Sequence, residues 1–203
     1  MERSDCMGFL TEYEESGIEF EGQFYKLDLA YDTVLNVKRM FSEHLLDGAD
    51  LLMGALNLFS LPEKAVQKLT WEQRSKLLEE IFRQKIQGRP RPNVGKQQRL
   101  FDFEEDGEYI YASFMQAYGI DLIDQQGKLP WNRFLALFHG LPDQTKIREI
   151  MRIRGMDIPS PTKTNQKELQ RITELKMYYA LGYQEDNGKD ELDRLFSTLE
   201  RMV

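Results

Sequence analysis

Residues 101–155, FDFEEDGEYIYASFMQAYGIDLIDQQGKLPWNRFLALFHGLPDQTKIREIMRIRG, decide the fold. Apolar side chains recur there at helical spacing, and glycine or proline closes each run. Ile110, Phe114, Ala117 and Tyr118 stand at i, i+4, i+7 and i+8, one face of a helix that Gly119 stops. Tyr111 and Met115 fall on a second face, so this helix is either well buried or partner-facing. Gly127 marks a turn, and Pro130 stands where a first-turn proline belongs. Trp131, Phe134, Leu135 and Phe138 repeat the i, i+3, i+4, i+7 pattern up to Gly140. Pro142 and Asp143 open a third helix, with Ile147, Ile150 and Met151 inward and Gly155 at its end.

Toward the N-terminus the period changes. Ile18 and Phe20, then Tyr25, Leu27 and Leu29, alternate about Glu21-Gly22, which predicts a β-hairpin. A lone hairpin is marginal in water, so it should lie on the helices that follow. Asp32 offers a cap for a helix striped by Val34, Val37, Phe41 and Leu45, stopped by Asp47-Gly48. A second helix from Asp50 carries Leu52, Ala55, Leu56 and Phe59 on one face. Ser60-Leu61-Pro62-Glu63 has the form of a cap, a first-turn proline and a capping-box acid. Thr70-Trp71-Glu72-Gln73 repeats that logic ahead of Leu78, Ile81 and Phe82.

Toward the C-terminus, Asp157-Ile158-Pro159-Ser160-Pro161 breaks the chain. Helix resumes near Thr164, with Leu169, Ile172, Leu175 and Tyr179 in a stripe that runs to Gly182. Leu192, Leu195, Phe196 and Leu199 predict an amphipathic terminal helix. The expected class is mainly α, a helical domain with a short N-terminal β-hairpin. Its expected organisation is a flexible tail over 1–16, hairpin plus helices over 17–87, a basic Pro/Gly linker over 88–100, a helical region over 101–182 and a terminal helix over 186–203. No repeat of fixed period is present.

The linker belongs to a longer stretch, RQKIQGRPRPNVGKQQR at 83–99, which holds six basic residues and no acid. Its basic side chains include Arg89, Arg91, Lys96 and Arg99. It reads as a solvated tether or as a docking strip for an acidic partner or nucleic acid. It lacks aromatics for base stacking, and the chain's net charge of −7 opposes coating of DNA. Hydrophobic residues are 41% and charged residues 30%, a globular balance with material for a core. Cys6 is the single cysteine, which excludes internal disulfides and fits a reducing compartment. The first residues lack the apolar run of a signal peptide, and no stretch reaches the length of a spanning helix.

Candidate chemistry is sparse. Asp102, Glu104, Glu105, Asp106, Gly107 and Glu108 imitate the first half of an EF-hand loop. The twelfth position is Ser113, where that motif needs a bidentate glutamate. No metal or cofactor is therefore expected, and the acids are better placed to cap a helix or to pair with the basic linker. His44 and His139 have no triad partners and suit helix C-termini. Phosphate-binding glycine motifs are absent, and no catalytic residue is assigned. What remains is crowding of aromatics, which reads either as a core or as a set of partner-binding anchors. Phe101 and Phe103 alternate with acids ahead of the helix and so suit surface anchors, as in protein-binding hot spots. The candidate partner-binding set is Phe101, Phe103, Glu104, Asp106, Tyr109, Tyr111, Met115 and Trp131.

Three pieces carry a family resemblance: FDFEEDGEYIYASFMQAYGIDLI, GKLPWNRFLALFHGLP and KIREIMRIRG. In these the chain resembles the bacteriophage Gp-fifteen family of long-tailed phages and prophages of Gram-positive bacteria. The resemblance implies a non-enzymatic tail assembly chaperone, working in the host bacterial cytoplasm, that holds the tape-measure protein soluble until tail-tube subunits replace it. It implies as partners the tape-measure protein and a second tail assembly chaperone or a tail-tube protein, and it allows an oligomer. No membrane partner is expected. The alternative is a structural tail completion or connector protein that stays in the virion.

Overall fold

The computed structural model describes residue 9 and residues 16–42, 48–87 and 98–182. The expected terminal helix, the N-terminal tail short of residue 16 (residue 9 apart), His44, Leu45, Asp47, Arg89, Arg91 and Lys96 lie outside these residues. The described chain is mainly helical with a two-stranded antiparallel hairpin at its N-terminal end.

Strands β1 (Gly17–Phe20) and β2 (Gln23–Lys26) pair Ile18 with Tyr25 and Phe20 with Gln23. Glu21 and Gly22 both take positive φ, 49° and 74°, as a two-residue hairpin loop requires. Ile18 and Tyr25 face the core, while Glu19 and Phe24 face solvent. The expected period of two is therefore a half-buried hairpin. Its tip is tied to the helices where Gln73 Nε2 donates to Glu21 Oε2 at 2.6 Å.

Helix α1 (Tyr31–Ser42) buries Val34, Val37 and Phe41, and α2 (Gly48–Leu58) buries Leu51, Leu52, Ala55 and Leu56. The cap of α1 is not Asp32, which lies inside the first turn. Asp28 holds the turn that leads into α1, accepting from Ala30 N at 3.0 Å and Thr33 Oγ1 at 3.1 Å. The short α3 (Glu63–Val66) follows Pro62 with no side-chain cap. Ser60 instead takes a left-handed φ of 61°, so it turns the chain rather than capping it. Helix α4 (Trp71–Ile81) has the full capping box expected of Thr70 and Gln73. It runs into a π-helical turn, Phe82–Ile86.

In the second half, α5 (Gly107–Tyr118) ends at Gly119 in the left-handed conformation, whose N–H reaches Met115 O at 3.0 Å. Helix α6 (Trp131–His139) begins directly after Pro130 and ends at Gly140. Helix α7 (Lys146–Gly155) starts later than Pro142 and Asp143 suggest, because Thr145 Oγ1 folds back to Pro142 O at 2.7 Å and closes a turn first. Helix α8 (Gln166–Tyr178) has no fully buried residue and leans on α7.

The two halves share one apolar core. Their backbones meet where Tyr31 N donates to Leu129 O at 2.9 Å and Trp131 N donates to Leu29 O at 2.8 Å. The Trp131 indole N–H reaches Ile86 O at 3.0 Å and satisfies a carbonyl at the end of the π-helical turn. Tyr31 of α1 stacks on Phe134 of α6 at 4.9 Å between ring centres, and Phe114 of α5 stacks on the same ring at 5.2 Å. Phe134 is thus the point where α1, α5 and α6 converge.

Candidate partner-binding groove

The acidic run before α5 is folded into the protein. Asp102 is buried and accepts from the amides of Glu104 at 2.7 Å and Glu105 at 2.9 Å, which closes the turn ahead of the helix. Its other oxygen meets Lys38 Nζ at 3.4 Å and the Arg99 guanidinium. Burial pushes the Asp102 carboxyl up. The Lys38 ammonium, the Glu105 amide, Arg99 and the Glu104 amide outweigh that and bring it down to about 2. The Lys38 ammonium also sits over the Phe103 ring, 5.5 Å from its centre.

Asp106, 1% exposed, forms a two-point pair with the Arg154 guanidinium at 2.5 and 2.8 Å. Arg154 further donates to Leu100 O at 2.9 Å and Tyr179 O at 2.6 Å. One side chain therefore ties the start of α5, the segment leading into it, α7 and the end of α8. Of the carboxylates that suggested a calcium loop, Asp102, Glu105 and Asp106 already have protein partners. Ser113, at the twelfth position, accepts from Ile147 N at 3.1 Å and so caps α7 from α5.

The open feature lies beside this joint. A groove of about 390 Å³ is bounded by α1 (Tyr31, Leu35), α5 (Gly107, Glu108, Ile110, Tyr111), the loop residues Leu122 and Ile123, and α6 (Phe134), with Phe103 at its base. Ile123 is 65% exposed, and Met115, one turn beyond Tyr111, is 39% exposed. The Tyr31 hydroxyl donates to Leu122 O at 2.6 Å and the Tyr111 hydroxyl to Asp121 Oδ2 at 3.2 Å. Burial first, then the charges of Asp32 and Asp121, push the Tyr31 phenol up to about 12. The Tyr111 phenol is raised by its hydrogen bond to Asp121, then by burial and by the Asp121 and Asp124 charges. Asp32, Asp121 and Asp124 thus bring carboxylates close to the groove's two hydroxyls.

The candidate residues divide between these features. Tyr111 lines the groove, Met115 flanks it and Phe103 forms its base. Phe101 and Phe103 are not surface anchors. They pack edge-to-face at 4.9 Å, and each contacts Phe138, because Asp102 between them turns inward to Lys38 and Arg99 instead of outward to water. Trp131 and Asp106 are likewise buried and serve packing and the ion pair. Tyr109 is half-buried against Tyr179 of α8 at 6.2 Å, and Glu104 is exposed at the turn. Arg99 is on Asp102. Residues Tyr31, Leu35, Glu108, Leu122 and Ile123 were missed by sequence reasoning. For these residues no local signal stood out, because Tyr31 is buried with the core of α1 and Leu35 is only partly buried beside it.

Comparison with known families decides the lineage. Residues 14–181 match the family described as Bacteriophage Gp15 protein. The chain belongs to that family. The match spans the hairpin, the charged joint and the groove, well over half of the sequence. Membership suggests a phage structural or assembly protein. No curated protein and no solved structure matches the chain. Among the described residues no helix is long and apolar enough to cross a membrane, and no group of His, Cys, Asp or Glu is arranged to hold a metal ion.

Proposed function

We propose that this family member is a non-enzymatic tail assembly chaperone that binds the tape-measure protein and keeps it soluble while the tail is built in the host cytoplasm. The observation that carries this reading is the groove, an apolar cleft lined by the exposed Ile123, with the exposed Met115 one helical turn along α5 from its wall residue Tyr111. Exposed apolar surface joined to a cleft is what masks the apolar stripe of a client helix. Methionine at its margin adapts to varied side chains along a long client. The acidic net charge of −7 keeps a complex of such chains dispersed. A second assembly chaperone or a tail-tube protein would meet the same complex at hand-over.

Co-expression with the tape-measure protein of the same phage tests this. The expected result is tape-measure protein in the soluble fraction, retained on tagged chaperone. A tape-measure protein whose solubility and retention are unchanged by this chain would rule the reading out. Mass spectrometry of purified virions tests the alternative of a retained completion or connector protein, for which this chain would be found in the particle.

A further inference from the structure

The groove also constrains the chemistry of what enters it. Its walls are apolar, and its two hydroxyls, on Tyr31 and Tyr111, already donate to protein acceptors. A small polar ligand would find no convergent donors there, whereas apolar side chains would find a dry surface. A volume of about 390 Å³ takes a few side chains and not a whole helix. A helical partner would therefore lie across the mouth and insert one face. The rim is acidic. Glu108 is part of the wall, Asp121 holds the Tyr111 hydroxyl, Asp124 follows in the same loop, and Asp32 adjoins Tyr31. Asp32 also accepts the Gly127 amide at 2.9 Å, which fixes that loop against α1. Among the described residues two cations lie near: the Lys128 ammonium is turned onto Asp124 O at 2.8 Å, and Lys38, over the Phe103 ring, is paired with the buried Asp102.

We infer that the groove takes an amphipathic helical segment with apolar anchors at i, i+3 or i+4, flanked by Lys or Arg. This rests on the chaperone reading and specifies which stretches of the client it holds. Burial of the anchors supplies affinity, while the flanking cations speed encounter, set orientation and reject acidic helices. Within a long client, basic-flanked stripes would be covered first and acidic-flanked stripes left bare.

The test uses the full chain and two designed peptides of ~18 residues, long enough to hold helix. Each carries Leu at i, i+4 and i+7, and they differ in having Lys or Glu beside the anchors. Titration calorimetry should find the Lys peptide bound more weakly as salt rises, and the Glu peptide at least ~10-fold weaker. Glu108 and Asp124 are exposed, so the double variant E108K/D124K should fold and reverse the preference. The milder E108Q/D124N should level it. I123S should weaken the Lys peptide by about tenfold, through loss of one apolar contact. Equal binding of both peptides, or a preference unmoved in both charge variants, would overturn the inference. So would a concentration-dependent dimer of this chain that occupies the groove and is dissolved by I123S. The two readings fail separately. Tape-measure protein that stays insoluble while the Lys peptide binds would sink the chaperone alone. Tape-measure protein made soluble by a chain that binds neither peptide would sink the groove chemistry alone.

Discussion

Asp106 and Glu108 are two residues apart at the start of α5, and their surroundings are opposite. Asp106 is 1% exposed and held by both ends of the Arg154 guanidinium. Glu108 is exposed at the wall of an open apolar groove. One residue belongs to a joint in which each of the three guanidinium nitrogens of Arg154 donates to a specific acceptor. The other belongs to a cleft that is open on one side among the described residues, with Ile123 exposed at its edge. A buried ion pair adds little net stability but is costly to break, so the joint fixes how α5, α7 and α8 meet. The groove costs stability in proportion to what it leaves uncovered, and a chain keeps such a surface for a partner. The same few residues of sequence thus supply an internal clamp and an external rim.

The sharpest way to break this contrast is to remove the clamp. Arg154→Ala leaves the Asp106 carboxylate buried without its cation, and removes the donors to Leu100 O and Tyr179 O. The expected loss is about 3–5 kcal/mol of unfolding free energy, read from the urea midpoint. Pairing it with Asp106→Leu should return part of that loss, because the stranded charge is gone. A clamp variant within ~0.5 kcal/mol of the parent would mean that the joint is incidental.

The neighbouring pair gives a smaller and pH-dependent effect. Asp102 has its folded-state pKa lowered to about 2, against an unfolded value near ~3.9. A depressed carboxylate stabilises the fold above the unfolded value and loses that contribution as pH falls through the folded one. Stability should therefore be full above about pH 5 and drop by up to about 2 kcal/mol between pH 4 and pH 2. Asp102→Asn should remove this part of the acid slope while lowering stability at neutral pH. An acid limb identical in the variant and the parent would show that Lys38 and Arg99 do not hold that carboxylate charged.

How far these features were legible in the sequence follows from the range of each signal. Helices α5 and α6 were readable because their apolar period is local and glycine or proline stops it. The capping box at Thr70 was readable because both partners lie within three residues. Helix α1 starts at Tyr31, ahead of the position that an Asp32 cap implies, because Asp32 is engaged by the Gly127 amide, 95 residues further on. Phe101 and Phe103 were misjudged because alternation with acids normally means a wet face. Here Lys38, 64 residues earlier in the chain, draws Asp102 inward. The Asp106–Arg154 pair spans 48 residues and leaves no local mark. The groove joins α1 to α5 and the following loop, and only the second apolar face of α5, Tyr111 and Met115, hinted at it.

The smallest expected effect is the one that isolates the groove. Ile123 is 65% exposed, and its own amide is held by Asp121 Oδ1 at 2.9 Å, independently of its side chain. Ile123→Ser therefore removes apolar surface that the fold does not use. Unfolding free energy should stay within about 0.5 kcal/mol of the parent, the range for substitutions away from packed features. Client binding should fall in the same variant. The loop keeps its shape through the Asp121 turn and the Gly127 bond to Asp32, so loss of binding could not be assigned to a collapsed wall. A destabilisation above 1 kcal/mol would place Ile123 in the core, and the distinction between clamp and groove would then dissolve. Stability held and binding lost would instead separate the two within a single helix terminus, with Arg154 governing the fold and Ile123 governing the partner.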